Sequence, residues 1–403
     1  MKIVVTGATG YVGSNLVPFL QAQGHELLLV GRNKARLRDR FADIKCCDYS
    51  GFLSEAKGYS ILIHLAVLNN NSDKPFDSFQ DVNVRGALDT AARAREAGIG
   101  TFINVSSCHA LDPANTSLYA ISKREAADEL EKLEGIAVIS VYLPFIYNPA
   151  FTDRLSFVRK MPRPLRRVAF CAMSSLKPTV SVKLLADYVE EIAVQGVTTS
   201  FEEPKIISDG QASNSVFAFV KRFLDLTFAS VIALFFWWLL LLIWALVRLD
   251  SSGPGFFAQE RVGREGETFI CYKFRTMKTG TANLGTHQVS ASSVTRLGRF
   301  LRKTKLDELP QILNIWRNEI SLIGPRPCLS VQTELVEARR RLGVLSLKPG
   351  ISGLAQVNGI DMSDPEKLAR WDARYKAMQS LTLDFNIMIA TALGSGRGDR
   401  VAK

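Results

Sequence analysis

Residues 2–13 read KIVVTGATGYVG, an apolar run that leads directly into Gly7, Gly10 and Gly13. A short apolar run rich in β-branched residues predicts a buried strand. Glycines after it allow a tight turn, and they let N–H groups at the start of a helix approach a diphosphate. The segment therefore predicts a strand–turn–helix unit with a nucleotide-binding turn.

The same alternation of apolar runs and helix-like stretches continues to about residue 207. The predicted strands are residues 3–5, 27–30, 61–65, 102–105 and 137–143. Strands separated by helical segments of this length form a parallel sheet built from βαβ units. We therefore expect residues 1–207 to fold as an α/β domain.

The composition is that of a globular chain with an additional apolar part: 403 residues, 47% of them hydrophobic and 22% charged. This length suits two domains. The formal net charge of +11 suits nucleic acid, an anionic membrane surface or phosphorylated substrates, and charge alone does not choose among them. The cysteines show no zinc-type spacing and the N-terminus has no secretory layout, so we expect a cytoplasmic location.

Residues 223–247 carry a single charge, Asp225, and no charge follows it within the run. As a helix, residues 226–247 are roughly 30 Å long, the thickness of a hydrocarbon core. A helix buried in a soluble core is the alternative, but the run leaves no polar face. We expect a linker over residues 208–220, a membrane-inserted helix over 221–250 and a second domain over 251–403.

Basic residues flank this segment on both sides, with Lys221 and Arg222 before it and Arg248 after it. The positive-inside rule therefore gives no orientation. If the domains on both sides use cytosolic nucleotides, a single crossing places one of them on the wrong side. A helix that enters the bilayer and returns resolves this conflict, so we expect a re-entrant helix and a monotopic protein.

In the first domain, Tyr119 and Lys123 have the spacing YxxxK, and Ser107 follows a predicted strand. With the glycine turn, this set resembles the extended short-chain dehydrogenase/reductase family of nucleotide-sugar epimerases, dehydratases and reductases, which implies a Rossmann-like fold. By this resemblance, Tyr119 exchanges a proton with a sugar oxygen, Lys123 lowers the pKa of Tyr119, and Ser107 holds the same oxygen. A chance spacing on an exposed helix is the alternative.

The resemblance also implies cofactor binding by the glycine turn, Asp48 and Ala66. Where the second strand ends, the chain reads Gly31-Arg32, and an arginine suits a 2′-phosphate better than the ribose hydroxyls of NAD. We therefore expect NADP(H) rather than NAD(H). A cluster of arginines lies further along the chain, and three roles are open for it. The arginines could bind a diphosphate, contact lipid headgroups or remain solvated. These are Arg154, Arg159, Arg163, Arg166 and Arg167.

Residues 251–403 contain polar motifs in a distinctive order. They are KFRTM at 273–277, LR at 301–302, LDELPQ at 306–311, GPRP at 324–327 and KPGISGL at 348–354. Together they resemble the bacterial sugar transferase family of monotopic polyprenol-phosphate phosphoglycosyl transferases. The resemblance runs from about residue 221 to 393, and it implies a small, mainly helical domain at the membrane surface. Lys273 and Arg275 of the first motif are weaker candidates for phosphate contacts.

Apolar residues at i, i+3, i+4 and i+7 predict an amphipathic helix over residues 309–316, which Asp307 and Glu308 open. The positive field of a helix N-terminus keeps carboxylates ionised, although such pairs often only cap a helix. By the resemblance, Asp307 is the nucleophile, and Glu308 with Asp307 associates with Mg²⁺. Arg302 and Arg326 lie in matching motifs and would neutralise phosphoryl charge.

The membrane segment departs from the family pattern. Relatives commonly carry a Ser-Pro pair midway, where proline breaks the helix and turns it back. This chain has Trp237-Trp238 at that position and no proline between 223 and 247. Either the indoles allow the bend by other means or the segment spans, and the topological argument favours the bend.

The two resemblances together predict a bifunctional fusion. An NADP-dependent reductase or epimerase would finish a UDP-sugar, and a transferase would move the sugar-1-phosphate to undecaprenyl phosphate, release UMP and initiate surface glycan assembly. We expect the protein at the cytoplasmic face of the bacterial inner membrane and expect no nucleic acid partner. A homodimer is compatible with the sequence. The alternatives are an N-terminal domain that only senses nucleotide-sugar or NADP, and a scaffold anchored by its apolar helix.

Overall fold

The computed structural model describes residues 1–69, 72–151, 155–195, 204–281 and 293–395. The chain forms two compact units, and each is described by itself. The first unit comprises Met1–Phe170 and Pro178–Asp209, and the second comprises Cys171–Lys177 and Gly210–Lys403. Arg154 of the predicted arginine cluster lies outside the described residues.

A parallel sheet of seven strands forms the centre of the first unit. Its strands are β1 (Lys2–Thr6), β2 (Glu26–Val30), β3 (Lys45–Cys47), β4 (Ile61–His64), β5 (Thr101–Ser107), β6 (Ala137–Leu143) and β9 (Lys205–Ile206). Two further strands, β7 (Phe145–Tyr147) and β8 (Thr179–Ser181), pair with each other outside this sheet. The strand order is β3-β2-β1-β4-β5-β6-β9. The order reverses beside β1, so the carboxyl ends of β1 and β4 border the crevice where such sheets bind ligands. The predicted Rossmann-like parallel sheet is confirmed.

Helices cover both faces of this sheet, because its central strands are apolar on both faces. In β1, Ile3, Val4 and Val5 are each 0% exposed, as expected for a strand buried on both faces. Val5 shares a core with Leu16, and Val4 shares another with Ala91. The helices are α1 (Tyr11–Ala22), α2 (Lys34–Arg40), α3 (Phe52–Glu55), α4 (Phe76–Phe79), α5 (Gly86–Glu96), α6 (Leu118–Leu130), α7 (Ser156–Arg159), α8 (Arg163–Leu176) and α9 (Val182–Gln195).

The second unit is mainly helical, as the sequence predicts. Its short strands are β10 (Phe256–Val262) and β11 (Thr268–Phe274), which form an antiparallel hairpin, and β12 (Ser321–Ile323) and β13 (Gly350–Ser352), which pair in parallel. Its helices are α10 (Ser215–Phe235), α11 (Trp237–Asp250), α12 (Arg296–Thr304), α13 (Ile312–Trp316), α14 (Thr333–Arg341), α15 (Leu354–Val357), α16 (Pro365–Met378) and α17 (Leu381–Ala392). The last turns of α8 also belong to this unit.

The apolar segment folds as two helices, α10 and α11, which meet at Phe236 with a bend of 70°. Across the described ranges, no single helix is both long and apolar enough to cross a membrane, whereas this bent pair is, by length and composition alone. At the bend, Nε1 of Trp238 donates to the carbonyl oxygen of Phe235 at 3.1 Å. An indole therefore satisfies a carbonyl at the end of α10 and stabilises a break that contains no proline.

Both helices of the pair pack against the body of the second unit. Ala229 of α10 lies in a core cluster with Ile315, and Ile243 of α11 lies in one with Phe274. Around the bend, the apolar side chains are instead exposed: Leu234 (70%), Phe235 (68%), Trp237 (57%), Trp238 (53%) and Leu241 (57%). The two helices are thus packed against the unit, whereas the apolar side chains at the bend between them, the tip of the pair, are exposed.

Helix α10 begins at Ser215, earlier than the expected start at residue 221, so the expected linker is shorter than 208–220. The side chain of Asn214 accepts from the N–H of Phe217 at 3.1 Å and caps the helix. Lys221, inside the helix, donates to the carbonyl oxygen of Ile323 at 2.9 Å. This cation therefore fixes α10 to β12.

Candidate active sites

The glycine turn of the first unit joins β1 to α1. Gly7 has a φ of +69°, and a Cβ on it would lie 2.5 Å from the backbone nitrogen of Ala66. A Cβ on Gly13 would lie 2.6 Å from the Cα of Ala8, whereas one on Gly10 would meet only a backbone oxygen at 3.3 Å. Gly7 and Gly13 thus permit close backbone packing, and Gly10 at the start of α1 leaves room for a diphosphate.

The predicted Ser–Tyr–Lys set comes together between β5 and α6. Ser107 ends β5, and Tyr119 and Lys123 lie on α6. Burial raises the pKa of Tyr119, and a hydrogen bond with Ser107 opposes this effect. The Nζ of Lys123 donates to the carbonyl oxygen of Val105 at 2.9 Å, and burial lowers the pKa of Lys123 to about 8.

Lys123 is 3% exposed and its ammonium donates to a backbone carbonyl, so its effect on the pKa of Tyr119 stays a prediction. The charge of Lys123 also acts on His64 of β4, a residue for which the sequence predicted no role. Burial and, second to it, the charge of Lys123 lower the pKa of His64 to about 3, so this imidazole is neutral.

Arg32 and Asp48 follow the carboxyl ends of the neighbouring strands β2 and β3. Arg32 is exposed, and together with Arg93 it opposes the burial that raises the pKa of Tyr49. The carboxylate of Asp48 accepts from the hydroxyl and N–H of Ser50, which helps hold the pKa of Asp48 below its usual value. The structure therefore places both predicted cofactor residues along one edge of the crevice.

The candidate site of the second unit is built around the adjacent carboxylates Asp307 and Glu308, which are 8% and 7% exposed. The Oε1 atom of Glu308 lies 2.7 Å from Nζ of Lys273 and 3.3 Å from Nη2 of Arg326. Lys273 comes from β11 and Arg326 from the loop after β12. Three separate elements thus meet at one buried cluster of opposite charges.

Arg302 of α12 contributes a third cation to this cluster. Its Nε donates to the hydroxyl of Thr276 at 2.9 Å. Its Nη1 is buried and has no hydrogen-bond partner among the described residues. A buried guanidinium N–H of this kind is a donor for an incoming phosphoryl oxygen.

Burial and, second to it, the charge of Glu308 raise the pKa of Asp307 to about 6. Lys273, Arg302 and Arg326 oppose this shift. Burial thus disfavours the charged form of Asp307, and the three cations, which the sequence argument did not invoke for this purpose, favour it.

The helix expected after these carboxylates is shorter than predicted. Residues Leu306–Gln311 form a 3-10 turn that contains Pro310, and α13 covers only Ile312–Trp316. A proline has no N–H to donate, so it limits regular helix here. Lys305, just before the turn, has a left-handed φ of +57°, which a non-glycine residue adopts at a cost.

The loop that carries Arg326 is fixed by features that gave no clear signal in the sequence. A Cβ on Gly324 or Gly350 would collide with the backbone around the other, so the glycines of two motifs let β12 and β13 approach. Arg339 of α14 is buried, donates to the carbonyl oxygen of Arg326 at 2.9 Å and pairs with Asp372 at 2.7 Å. Arg339 belongs to a run of three arginines, and nothing in the run shows which one is buried.

The two weaker cationic candidates have different roles. Lys273 contacts Glu308 directly and belongs to the site. Arg275 instead closes the end of α11, because its guanidinium donates to the backbone oxygens of Val247, Ser251 and Ser252. Arg275 is therefore a structural residue.

The donor set fits a magnesium ion that is shared with a substrate. Mg²⁺ prefers oxygen ligands, and it is often held by one or two carboxylates together with substrate phosphates and water. Asp307 and Glu308 supply such oxygens. Over the residues that the structure describes, no group of three or more His, Cys, Asp and Glu side chains could hold a metal alone.

The folds and sites define the class: a Rossmann-like α/β unit joined to a mainly helical unit with a buried carboxylate pair. Residues 216–396 match the family model "Bacterial sugar transferase", and residues 3–168 match "NAD dependent epimerase/dehydratase family". The chain belongs to the bacterial sugar transferase family, with an epimerase/dehydratase-like part at its N-terminus.

Two curated relatives are covered over most of their length. The uncharacterised sugar transferase EpsL of Bacillus subtilis is 38% identical over 43% of this chain and 85% of its own length. The exopolysaccharide production protein ExoY of Rhizobium meliloti is 35% identical over 49% of this chain and 95% of its own. The UDP-glucose:undecaprenyl-phosphate glucose-1-phosphate transferase of Xanthomonas campestris pv. campestris is 35% identical over 46% of this chain, but only 40% of its own length is covered.

Among solved structures, the first unit is similar to the UDP-N-acetylglucosamine 4-epimerase of Bacillus cereus. The two are 16% identical, with a TM-score of 0.40, over 52% of this chain and 76% of that one. At this level the similarity does not bear on function.

Proposed function

We propose that the second unit is a phosphoglycosyl transferase that moves a sugar-1-phosphate from a UDP-sugar to undecaprenyl phosphate. The observation that carries this proposal is the position of Asp307, a buried carboxylate with Lys273, Arg302 and Arg326 around it. Membership of the bacterial sugar transferase family and the activity named for the Xanthomonas relative support the same reaction class.

The transfer takes place in two displacements at one phosphorus. A carboxylate oxygen of Asp307 attacks the phosphorus that bears the sugar. The bond between this phosphorus and the oxygen that bridges the two phosphates breaks, and UMP leaves. An oxygen of undecaprenyl phosphate then attacks the same phosphorus, the bond to Asp307 breaks, and the carboxylate is restored. Arg302 and Arg326 stabilise the negative charge on the phosphoryl oxygens.

Magnesium, when bound by Asp307 and Glu308 together with the diphosphate, would supply further neutralisation of charge. The pairing of Glu308 with Lys273 and Arg326 keeps Glu308 oriented beside Asp307. With a pKa of about 6, Asp307 is mostly ionised at neutral pH, and its burial leaves the nucleophilic oxygen poorly hydrated. The protein thus provides an ionised nucleophile within a cationic surround.

The bent helix pair is proposed to enter the membrane and return on the same side. Both arms pack on one body, which a straight crossing would not allow, and the tip is apolar and exposed. The bond from Trp238 to Phe235 reduces the number of unsatisfied backbone groups at the bend, which matters most in hydrocarbon. The transferase then works at the cytoplasmic face of the inner membrane, where it initiates surface glycan assembly.

The first unit is proposed to be an NADP-dependent reductase or epimerase that finishes the UDP-sugar. The glycine turn has room for a diphosphate, and Arg32, exposed just after β2, would bind a 2′-phosphate. Tyr119 would exchange a proton with a sugar oxygen that Ser107 also holds. Replacing Arg32 by Glu tests the cofactor: the affinity for NADPH should fall at least about tenfold relative to that for NADH. An unchanged ratio would remove Arg32 from that role.

The transferase is tested by UMP release from the full chain in nanodiscs, with undecaprenyl phosphate, Mg²⁺ and a panel of UDP-sugars. We expect release that requires the lipid for continued turnover and that depends on Asp307. The sugar that gives the fastest release identifies the donor, and hence the product of the first unit. Multiple turnover that persists in Asp307→Asn would overturn the proposed mechanism.

A second candidate function for the first unit is a sensor that binds nucleotide-sugar or NADP and regulates the transferase. The orientation of Lys123 toward a backbone carbonyl favours it, because a binding module needs no ammonium directed at Tyr119. NADPH oxidation with UDP-4-keto-sugars discriminates between the two. Consumption that is lost in Tyr119→Phe favours the enzyme, whereas UMP release that changes with NADPH without its consumption favours the sensor.

A further inference from the structure

Helix α8 (Arg163–Leu176) leaves an apolar stripe exposed. The stripe consists of Leu165 (58% exposed), Val168 (57%), Ala172 and Leu176 (53%). The spacings i, i+3, i+7 and i+11 place these side chains on one face of a helix. A surface helix of a soluble domain normally turns such a stripe inward.

The remaining faces of α8 make the contacts that hold it in place. Nη2 of Arg166 donates to the carbonyl oxygen of Arg159 at 2.6 Å. The ring of Phe170 packs on Tyr147, with 4.6 Å between ring centroids. Ser174 is buried, at 7% exposure. The apolar stripe is thus the side that no core covers.

The sequence around α8 has one sign of charge. Residues 155–186 contain no acidic residue. The basic residues in this stretch are Arg159, Lys160, Arg163, Arg166, Arg167, Lys177 and Lys183. Arg163 and Arg167 are exposed on the side of α8 away from the stripe, so the helix combines an apolar face with a basic one. This combination is typical of helices that lie in the interface of an anionic bilayer.

The C-terminal end of α8 is fixed to the start of the bent helix pair. Nδ2 of Asn214, the residue that caps α10, donates to the carbonyl oxygen of Cys171 at 2.9 Å and to the hydroxyl of Ser174 at 3.0 Å. The hydroxyl of Thr382 in α17 donates to the carbonyl oxygen of Leu176 at 2.6 Å. These residues all belong to the second unit.

Helices α10 and α17 leave apolar side chains exposed as well. Those of α17 and the residue after it are Phe385 (59%), Ile389 (44%) and Leu393 (80%), and those near the start of α10 are Phe219 (72%) and Phe223 (60%). The end of α8 is therefore joined by hydrogen bonds to two helices that also present uncovered apolar groups.

We propose that α8 is an interfacial helix that lies on an anionic bilayer surface, with its stripe in the acyl boundary and its basic residues at the headgroups. The proposal rests on the membrane location proposed for the bent pair. A second copy of the chain is a poorer occupant, because a two-fold contact through α8 would bring two purely basic stretches together. The bilayer instead supplies the opposite charge.

The test uses spin labels on the full chain in nanodiscs. The labels are placed in a Cys171→Ser background, because Cys171 is only half-buried and the other cysteines are buried. Leu165→Cys reports on the stripe, Leu241→Cys on the bent pair, and Glu96→Cys on exposed surface of the first unit. The measurement is the ratio of collisions with oxygen, which enters lipid, to collisions with a water-soluble nickel complex.

With phosphatidylglycerol in the nanodisc, the ratio at Leu165→Cys should exceed that at Glu96→Cys at least about threefold and approach that at Leu241→Cys. It should fall at least about twofold in pure phosphatidylcholine. Arg163→Gln with Arg167→Gln should remove this lipid dependence, whereas the control Lys57→Gln with Lys74→Gln, which removes the same charge from exposed positions, should keep it.

Three results would overturn the proposal. If Leu165→Cys resembles Glu96→Cys while Leu241→Cys is lipid-exposed, α8 faces water and the proposed transferase stands. If Leu241→Cys is also in water, the membrane location itself fails. A label at Leu165→Cys that becomes immobile as the concentration of lipid-free protein in detergent rises would identify a second copy as the occupant.

Discussion

The two candidate sites differ in how their buried charges are balanced. In the second unit, Asp307 and Glu308 are buried among three cations, so both carboxylates face opposite charges before any substrate arrives. In the first unit, the ammonium of Lys123 is buried and donates to the carbonyl oxygen of Val105, and burial lowers its pKa to about 8.

The difference teaches that the two sites depend on their ligands to different degrees. A buried ammonium without an anion loses charge readily, and ribose hydroxyls and phosphates of a dinucleotide are groups that would favour its charged form. The carboxylate pair already has its partners. We therefore expect the first site to be completed by its cofactor and the second to be preorganised by the fold.

The largest expected effect is that of Asp307→Asn on the second site. The amide cannot form the phosphosugar intermediate, so UMP release should fall by about a thousandfold or more. Glu334→Gln, an exposed carboxylate on α14, is the matched control and should retain activity. A residual rate within tenfold of the parent chain would mean that the charge cluster has a different purpose.

Tyr119→Phe should give the next largest effect, and on the first site alone. Loss of the phenolic proton should lower the rate of sugar conversion by about a hundredfold. Release of UMP from a finished UDP-sugar should be unchanged, as measured in the same preparation. Tyr59→Phe is the control. Equal loss of both activities would contradict the independence of the two sites.

Lys273→Met should change the pH dependence of the second site. Activity requires ionised Asp307, whose pKa is raised to about 6, so the rate should decline as the pH falls through 6. Removing a cation that opposes this shift should raise the pKa further and move the acidic limb upward, with a loss of about tenfold at pH 6.5. Lys278→Met, at an exposed position, should leave the profile unchanged. An unshifted limb would show that another group controls it.

Much of this arrangement was predictable from the sequence. The parallel sheet followed from repeated apolar runs, and the break near Trp237 from a topological argument joined to a family resemblance. Asp307, Glu308 and the cations at 302 and 326 were found because several motifs follow one another in a recognisable order, although each residue alone is ambiguous. The structure brings these four groups to one cluster.

The rest depends on packing between distant parts of the chain. Nothing local distinguishes Arg339, which positions the Arg326 loop, from the arginines beside it, because its burial is set by Asp372 on another helix. The direction of Lys123 and the raised pKa of Asp307 likewise follow from burial, which spacing does not encode. Sequence motifs thus identify the functional side chains, whereas the pKa values of these side chains depend on burial in the folded chain.

The smallest expected effect concerns the bend between α10 and α11 of the second unit. Trp238→Phe removes the indole N–H that donates to Phe235 and keeps an aromatic ring, so it should lower the stability of the second unit by about 1 kcal/mol. Thermal unfolding in nanodiscs measures this, with Trp237→Phe as the matched control. The first site should be unaffected. An equal effect of both substitutions would assign the loss to ring size instead of the hydrogen bond.

Intact-mass analysis of the chain with a UDP-sugar and Mg²⁺, but without undecaprenyl phosphate, would show whether Asp307 is the nucleophile. The proposed mechanism predicts a mass increase of one phosphosugar, located at Asp307 by peptide mapping, with one equivalent of UMP released. Adding the lipid phosphate should remove the adduct. If UMP appears only when the lipid phosphate is present and no adduct forms in the parent chain, transfer is direct and Asp307 is not the nucleophile.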